Sequence, residues 1–437
     1  MSKKTKDTII IGAALFAMFF GAGNLIFPPA IGLKAGNEWF MSLLGFIITG
    51  IGLPVLGIVA VSKAGGTIKD LAGKVNPLFA SVLGTIIILA IGPLLAIPRT
   101  GATVYEIGIQ PIFGSINPFI VSAVYFSITL FFVIKPSGIM DKIGKVLTPI
   151  LLIVTLSIII KGILFPIGTP VMTSITLPFS SGFTDGYQTM DALGSIVMAS
   201  IVLVGLIEKG YTDKKEQIKL ATRAGLIAGM GLLVIYGGLL YLGATSSSVY
   251  AADISKSALI INITNSVLGS LGQIGMCVVV SAACLTTSIG LTAVVGNYFV
   301  ELTKNKLKYE WIVIFTTVFS AVMSVIGVEK LVMIAVPLLT LVYPVAIVLI
   351  ILGLMDSYIK NKNVFKGAVF GALLISTIEA LNLINISSEA LLNTIERLPF
   401  ANAGFAWVLP AIICGLVASL LPEKKLSIYK KPVLENI

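Results

Sequence analysis

A repeated length constrains this chain more than any single residue does. Apolar runs of about 20 residues, the number that carries a helix across a hydrocarbon core of roughly 30 Å, recur from residue 8 to residue 421. They fall at approximately 8–34, 40–61, 78–98, 117–134, 144–165, 187–208, 221–244, 266–300, 311–328, 331–354, 366–384 and 403–421. Inside a bilayer every backbone N–H and C=O must be paired within the protein, so single runs of this length fold as helices. The expected fold is an all-α polytopic membrane protein of 12 transmembrane helices, one transmembrane unit over 1–437. Composition agrees, with 57% of residues hydrophobic and 11% charged, against roughly 45–50% and 25% in soluble domains. MSKKTKD leads straight into a stretch too long for a signal peptide and followed by no small-residue cleavage site, so it reads as an uncleaved first span.

Charge gives the orientation. With a cytoplasmic N-terminus, the inner segments are MSKKTKD, SKAGGTIKDLAGK, KPSGIMDKIGK, EKGYTDKKEQIKLATR, TKNKLK, KNKNVFK and EKKLSIYKK, and they hold 24 of the 30 Lys and Arg. The outer segments hold only Lys34, Arg99, Lys161, Lys256, Lys330 and Arg397. This positive-inside asymmetry places both termini in the cytoplasm and requires an even number of spans. The net charge of +10 is thus topology rather than a nucleic-acid surface. The partner it implies is the lipid bilayer, with no obligate protein partner evident, and lysine-rich loops on one inner membrane suit a bacterium. Cys277, Cys284 and Cys414 lie in apolar runs without CxxC spacing, and the chain has no histidine; they read as small packing residues.

The first run contains FFGAGNLIFPP, residues 19–29. GAGN begins about 13 residues into the span, near the bilayer midplane at about 1.5 Å per residue. Glycines here also let helices approach closely, but a bare Asn24 and the pair Pro28 and Pro29 point to a break. Non-helical backbone at that depth is tolerated where it lines a cavity. Freed carbonyls at Ala17, Phe19 and Phe20 are hard oxygen ligands, and the amides of Gly21, Gly23 and Asn24 open a second half-helix suited to one end of a zwitterion. TDGYQTMDALGSIVMAS, residues 184–200, brings Asp185, Thr189, Asp191, Gly194 and Ser195 to the sixth span as a second break. Breaks in corresponding spans mark an inverted-repeat transporter, here with repeat one at about 8–165, repeat two at about 187–354 and additional helices at about 366–421. In span eight, Thr286, Thr287 and Ser288 are consecutive, so they cannot share one helix face. Such hydroxyls either bond their own i−4 carbonyls or, with the Ala283 carbonyl, complete a hard-cation site.

FFGAGNLIFPP, LLAIPRTGATVYE at 94–106, GYQTMDAL at 186–193 and LTTSIGL in span eight together resemble the branched-chain amino acid transport carriers, sodium symporters for leucine, isoleucine and valine, over essentially the full length. The resemblance implies kinship with the neurotransmitter:sodium symporter fold, a five-plus-five inverted repeat with broken helices 1 and 6 and two additional C-terminal helices. It also implies a sodium (Na+) site from the carbonyls of Ala17, Phe20 and Ala283 and the hydroxyls of Thr286 and Thr287. A second sodium would use the Phe19 carbonyl and the Asn24 side chain. The spacing from Asn24 to Pro28 is one residue shorter than in the wider fold.

The substrate-binding candidates are Phe19, Phe20, Gly21, Ala22, Gly23, Asn24, Asp191, Ala192, Gly194 and Ser195, with Ile196 beside them. Few fixed charges at the core favour a small zwitterion. Leucine, isoleucine and valine differ by about a methylene, worth roughly 1–3 kcal/mol, so all three are expected to be accepted. Arg99 reads either as an outer interface anchor or as an outer gate with Glu106, Asp185 or Asp191. Glu379, in the helices outside the transport core, reads as snorkelling or structurally paired. Without histidine, and with only Thr155 and Ser157 in the middle of span five, sodium is favoured over protons. The expected function is a sodium-coupled symporter importing these amino acids across the cytoplasmic membrane by alternating access. The alternatives are a proton-coupled transporter of small neutral amino acids and a non-transporting sensor on the same fold. A channel lacks pore-lining rings, and an enzyme lacks a nucleophile–base set.

Overall fold

The computed structural model describes residues 2–134, 139–386 and 389–422, and the side chains of KPSGIMDKIGK and EKKLSIYKK lie outside them. The first apolar run folds as two helices in line, α1 (Lys3–Phe19) and α2 (Ala22–Ala35), with Phe20 and Gly21 extended between them. A 3-10 turn at Gly36–Glu38 leads to α3 (Trp39–Ile47), a π-helical turn at Ile48–Gly52, α4 (Leu53–Ala64) and a short α5 (Ile68–Ala72). Next, α6 (Pro77–Leu89), α7 (Ala96–Thr103) and α8 (Gln110–Phe113) form one helical path through π-helical turns at Ala90–Leu94 and Val104–Ile109. After α9 (Pro118–Ile134) and α10 (Ile139–Leu164), α11 (Pro178–Asp185) and α12 (Asp191–Glu208) form the second interrupted element. The chain continues through α13 (Lys214–Thr245), α14 (Lys256–Leu302), α15 (Tyr309–Ser324), α16 (Val328–Leu354), α17 (Asn363–Leu383), α18 (Glu389–Glu396) and α19 (Val408–Ser419).

The described residues are helical throughout their regular structure, as the apolar periodicity demands. Among the described residues, seven helical runs are long and apolar enough to cross a membrane, Ala22–Ala64, Pro77–Phe113 and Lys256–Leu302 being three of them, and four shorter apolar helices accompany them. Phe131, Trp311, Phe315 and Val322 are more than half exposed, an exterior compatible with acyl chains rather than water.

Three boundaries differ from the sequence expectation. The third span, expected to stop at 98, continues to Phe113. Pro93 lacks an N–H and Gly92 is non-helical, yet π-turns absorb both and the helix resumes. The sixth element starts at Pro178, nine residues ahead of the expected 187. Helix α14 begins at Lys256, ten residues ahead of the expected 266, and Gly269, at φ 63°, bends it just inside the apolar stretch.

Close backbone contacts fix how these helices meet. A Cβ on Gly32 of α2 would stand 1.8 Å from the Leu240 carbonyl oxygen of α13, and one on Gly243 would stand 2.0 Å from Pro29 O. On α3, a Cβ at Gly45 would meet Phe179 O of α11 at 1.9 Å. Without a hydrophobic drive between helices in lipid, such small-residue contacts hold the bundle through packing. They join α2 to α13 and α3 to α11; α2 packs on α7 and α14 as well, and the two chain breaks face one another.

Candidate functional site

At the first break the hydrogen bonding is rerouted. In a continuous helix the Gly21 N–H would go to Ala17 O and the Asn24 N–H to Phe20 O. Instead Gly21 N donates to Asn24 Oδ1 at 3.1 Å, Asn24 N donates to Gly21 O at 3.2 Å, and Phe20 N donates to Phe16 O at 2.8 Å. The carbonyls of Ala17 and Phe20 are thereby left without their helical donors. Asn24 caps the new half-helix from its third position, which explains why an asparagine is stable there.

At the second break Met190 is left-handed at φ 61° and ψ 10°, and a 3-10 turn at Gly186–Thr189 precedes it. A non-glycine residue in this region carries a strain that the surrounding packing must hold. The turn sets Asp191 on the first turn of α12. Its Oδ2 accepts from Asn24 Nδ2 at 2.8 Å and from the Tyr236 hydroxyl at 3.0 Å, and Asn24 Nδ2 also contacts the Tyr236 oxygen. The two breaks are thus tied together through Tyr236 of α13, a residue that sequence reasoning missed. Its signal was available, because a tyrosine deep in an apolar helix needs a partner for its hydroxyl.

Between the breaks lies a cavity of about 40 Å³ bounded by Phe19, Gly21, Ala22, Gly23, Asn24, Asp191 and Gly194 together with Arg99, Thr100 and Thr287. Three substrate candidates are absent from its wall. Phe20 stacks on Phe16 with ring centroids 5.5 Å apart. Ser195 donates to Ala192 O at 2.7 Å and sits against Gly57 of α4, where an added Cβ would meet its Oγ at 2.1 Å. Ala192 is 1% exposed in the core behind it.

Arg99 stands at the centre of this site, and its placement as an interface anchor is overturned by an exposure of 4%. The reason is the continuation of its helix, which puts it well inside the span rather than at its end. Nη1 donates to Gln188 O at 2.8 Å, Cζ lies 5.2 Å from the Phe27 ring centroid, and Nη2 is 2.7 Å from where a Gly23 Cβ would be. Its Nε is buried without a partner. The gate pairing with Glu106 is not formed. Glu106 accepts from Ser257 Oγ at 2.5 Å and from Val328 N at 2.8 Å. Asp185 is likewise engaged elsewhere, with Lys34 Nζ at 3.5 Å. Of the three candidate acids, Asp191 alone shares the cavity with Arg99, and no ion pair joins the two among the described residues.

Span eight divides its hydroxyls as the helix geometry requires. Thr286 Oγ1 donates back to Ala283 O at 2.9 Å and Ala282 O at 3.1 Å. Thr287 faces the first break, its Oγ1 3.1 Å from the position of a Gly21 Cβ, buried and without a hydrogen-bond partner. A second cavity of about 450 Å³ opens beyond Tyr187 and Gln188, lined also by Asp185, Asn382 and Glu379. Tyr187, in the wall of this second cavity, stacks on Tyr343 with ring centroids 4.2 Å apart. Glu379 is half-buried there with no ion pair among the described residues, so the structural pair expected for it is not found.

The model of the branched-chain amino acid transport protein family matches residues 4–425. The chain belongs to that family. It is similar to the branched-chain amino acid permease BraB of Bacillus subtilis (38% identical over 445 residues, 98% of this chain and 99% of that one). It also matches the permease BrnQ of Escherichia coli K12 (33% over 421 residues, 95% of each) and the branched-chain amino acid transport system 3 carrier protein of Pseudomonas aeruginosa (33% over 429 residues, 96% and 97%). These are transporters, not enzymes. Among solved structures, MhsT in complex with L-phenylalanine matches with a TM-score of 0.55 at 17% identity over 94% of this chain and 96% of that one. Inward-facing Mhp1 matches with 0.60 at 13% identity, over 94% and 89%. At these identities the likeness establishes the shared fold.

Proposed function

We propose that the protein is a sodium-coupled symporter that carries leucine, isoleucine and valine by alternating access. Relatives named as branched-chain amino acid permeases and carriers, aligned over nearly the whole chain, support the substrate class. One observation carries the coupling ion: the buried, unpartnered Thr287 hydroxyl faces the stretch where Ala17 and Phe20 carbonyls lack their helical donors. Neutral, hard oxygens converging from two helices suit a small monovalent cation. The Ala283 carbonyl joins them from α14. Thr286 contributes by fixing that turn through its own back-bond.

Sodium held between α1 and α14 stabilises one arrangement of the broken helix and orders its amides for the amino acid, a positive coupling of about 1–3 kcal/mol. Joint occupancy then permits rocking of one group of helices against the other. The lysine-rich segments support cytoplasmic termini in a bacterial inner membrane, an orientation in which the inward sodium gradient and membrane potential, about 2.3 kcal/mol per charge per 100 mV, drive accumulation.

Proteoliposome uptake of labelled leucine, driven by an inward sodium gradient or an inward proton gradient of equal size, tests this for wild type and Thr287→Ala. Sodium-driven uptake lost in Thr287→Ala is the expected result. Uptake indifferent to sodium and driven by protons would overturn it and move the coupling group to Asp191.

A further inference from the structure

The proposed cavity holds a fixed positive charge that a transporter of zwitterions coupled to two sodium ions does not need. Arg99 is 4% exposed, deep in a chain whose other arginines, Arg223 at the start of the run 221–244 and Arg397 between runs, are both exposed. A buried guanidinium is stable only with hydrogen-bonded, preferably anionic, partners. Here just one nitrogen has one, Nη1 to Gln188 O at 2.8 Å. Nε has none, and Nη2 lies against the Gly23 backbone at the rim of the cavity. Cζ lies over the Phe27 ring, 5.2 Å from its centroid, and the unpartnered Nε and the Nη2 beside Gly23 form the edge left for a ligand. That edge is the geometry a carboxylate takes in a two-toothed contact. It lies beside Gly23, at the start of the half-helix whose free amides already favour an anion.

The Asn24 side chain expected to hold a second sodium is meanwhile engaged within the protein. Asn24 Oδ1, the oxygen that would coordinate it, accepts the Gly21 N–H at 3.1 Å, and Nδ2 donates to Asp191 Oδ2 at 2.8 Å. A second cation would also stand next to the guanidinium in a site of low dielectric. Arg99 and Asp191 set a guanidinium and a carboxyl group in one cavity wall, the partners a carboxylate and an ammonium would take.

We propose that Arg99 is the receptor for the substrate carboxylate and takes the place of a second sodium ion, so that each amino acid crosses with one sodium. This rests on the sodium-coupled function proposed above, and it makes Arg99 a substrate-binding residue rather than an outer gate.

The test has two independent readouts on the full-length protein in liposomes. The first is the ratio of sodium to leucine taken up by wild type, by dual-label flux; one is expected, and two would overturn the proposal. The second compares leucine with leucinol, which keeps the ammonium and lacks the carboxylate, by competition binding. Arg99→Gln is expected to reduce the preference for leucine over leucinol by roughly 10- to 100-fold, the loss of a charge-assisted pair, with Arg99→Lys intermediate. An unchanged preference in Arg99→Gln would overturn the role of Arg99. Retention of the sodium-induced rise in melting temperature, which depends on Thr287, certifies that the variant is folded; if Arg99→Gln fails this check, Arg99→Lys and the wild-type ratio decide. Leucine uptake by wild type without any sodium would sink the coupling ion of the preceding section and the single-sodium count together, while the leucine–leucinol comparison would still decide Arg99.

Discussion

Replacing Asn24 separates the two jobs its side chain performs. Its Oδ1 caps the Gly21 N–H at 3.1 Å and its Nδ2 donates to Asp191 Oδ2 at 2.8 Å, with 2% of the residue exposed. Asn24→Ala strands both groups in the interior, where each unmade hydrogen bond costs about 1–3 kcal/mol, more for a charged one. The sum, about 2–6 kcal/mol, is a large part of the roughly 5–15 kcal/mol that holds a typical folded protein together. Asn24→Asp keeps an acceptor for Gly21 but sets a second carboxylate where the donor to Asp191 was. Thermal unfolding in lipid nanodiscs, read beside leucine binding, is the assay. Both variants should melt several degrees below wild type, with Asn24→Asp no higher than Asn24→Ala. If Asn24→Ala melts within about 1 °C of wild type and still binds leucine, the network joining the two breaks is not what holds the site.

Two further outcomes follow from the contacts around the site. Glu106→Gln weakens the tie to Ser257 and the Val328 amide, at 2.5 and 2.8 Å, and should cost about 1–2 kcal/mol in stability while leaving the leucine–leucinol preference unchanged; a shifted preference would return Glu106 to the substrate path. Ahead of the first apolar run, the Tyr211 hydroxyl, at 2.9 Å, and then Lys209, at 3.4 Å, hold the Asp7 carboxyl below its ordinary value of 3.8. The folded value is the depressed one, so this contribution is fully present above about pH 4 and fades as pH falls through the lowered value. The melting difference between wild type and Asp7→Asn should therefore stay constant from neutral pH down to about pH 5 and vanish only in stronger acid; a difference that vanished near neutrality would contradict the assignment.

Membrane class and the places where the helices break were legible in the sequence, because both depend on short stretches of chain. Twenty apolar residues imply a helix in lipid wherever they occur, and GAGN with its flanking prolines weakens the helix from within. The family was legible for the same reason, since its motifs are contiguous. The partners of the charged side chains were not. Arg99 was read as near a span end because the apolar run stops at residue 98, yet π-turns carried the helix on to Phe113. Glu106 was assigned to a gate, yet α14 and α16 meet it first. Asn24 was read as an ion ligand, yet its oxygen is used within its own half-helix and its nitrogen on Asp191, more than 160 residues away in sequence at a separation of 167.

The sequence by itself determined a helical membrane protein broken twice at mid-depth, since hydropathy and helix propensity add up locally. Only the tertiary structure decided which polar groups share the gap. That choice depends on how α2 and α13 approach through Gly32 and Gly243 and on where α7 and α12 come to rest beside them. The partner of a buried charge is set by such packing between distant segments, which no local pattern records.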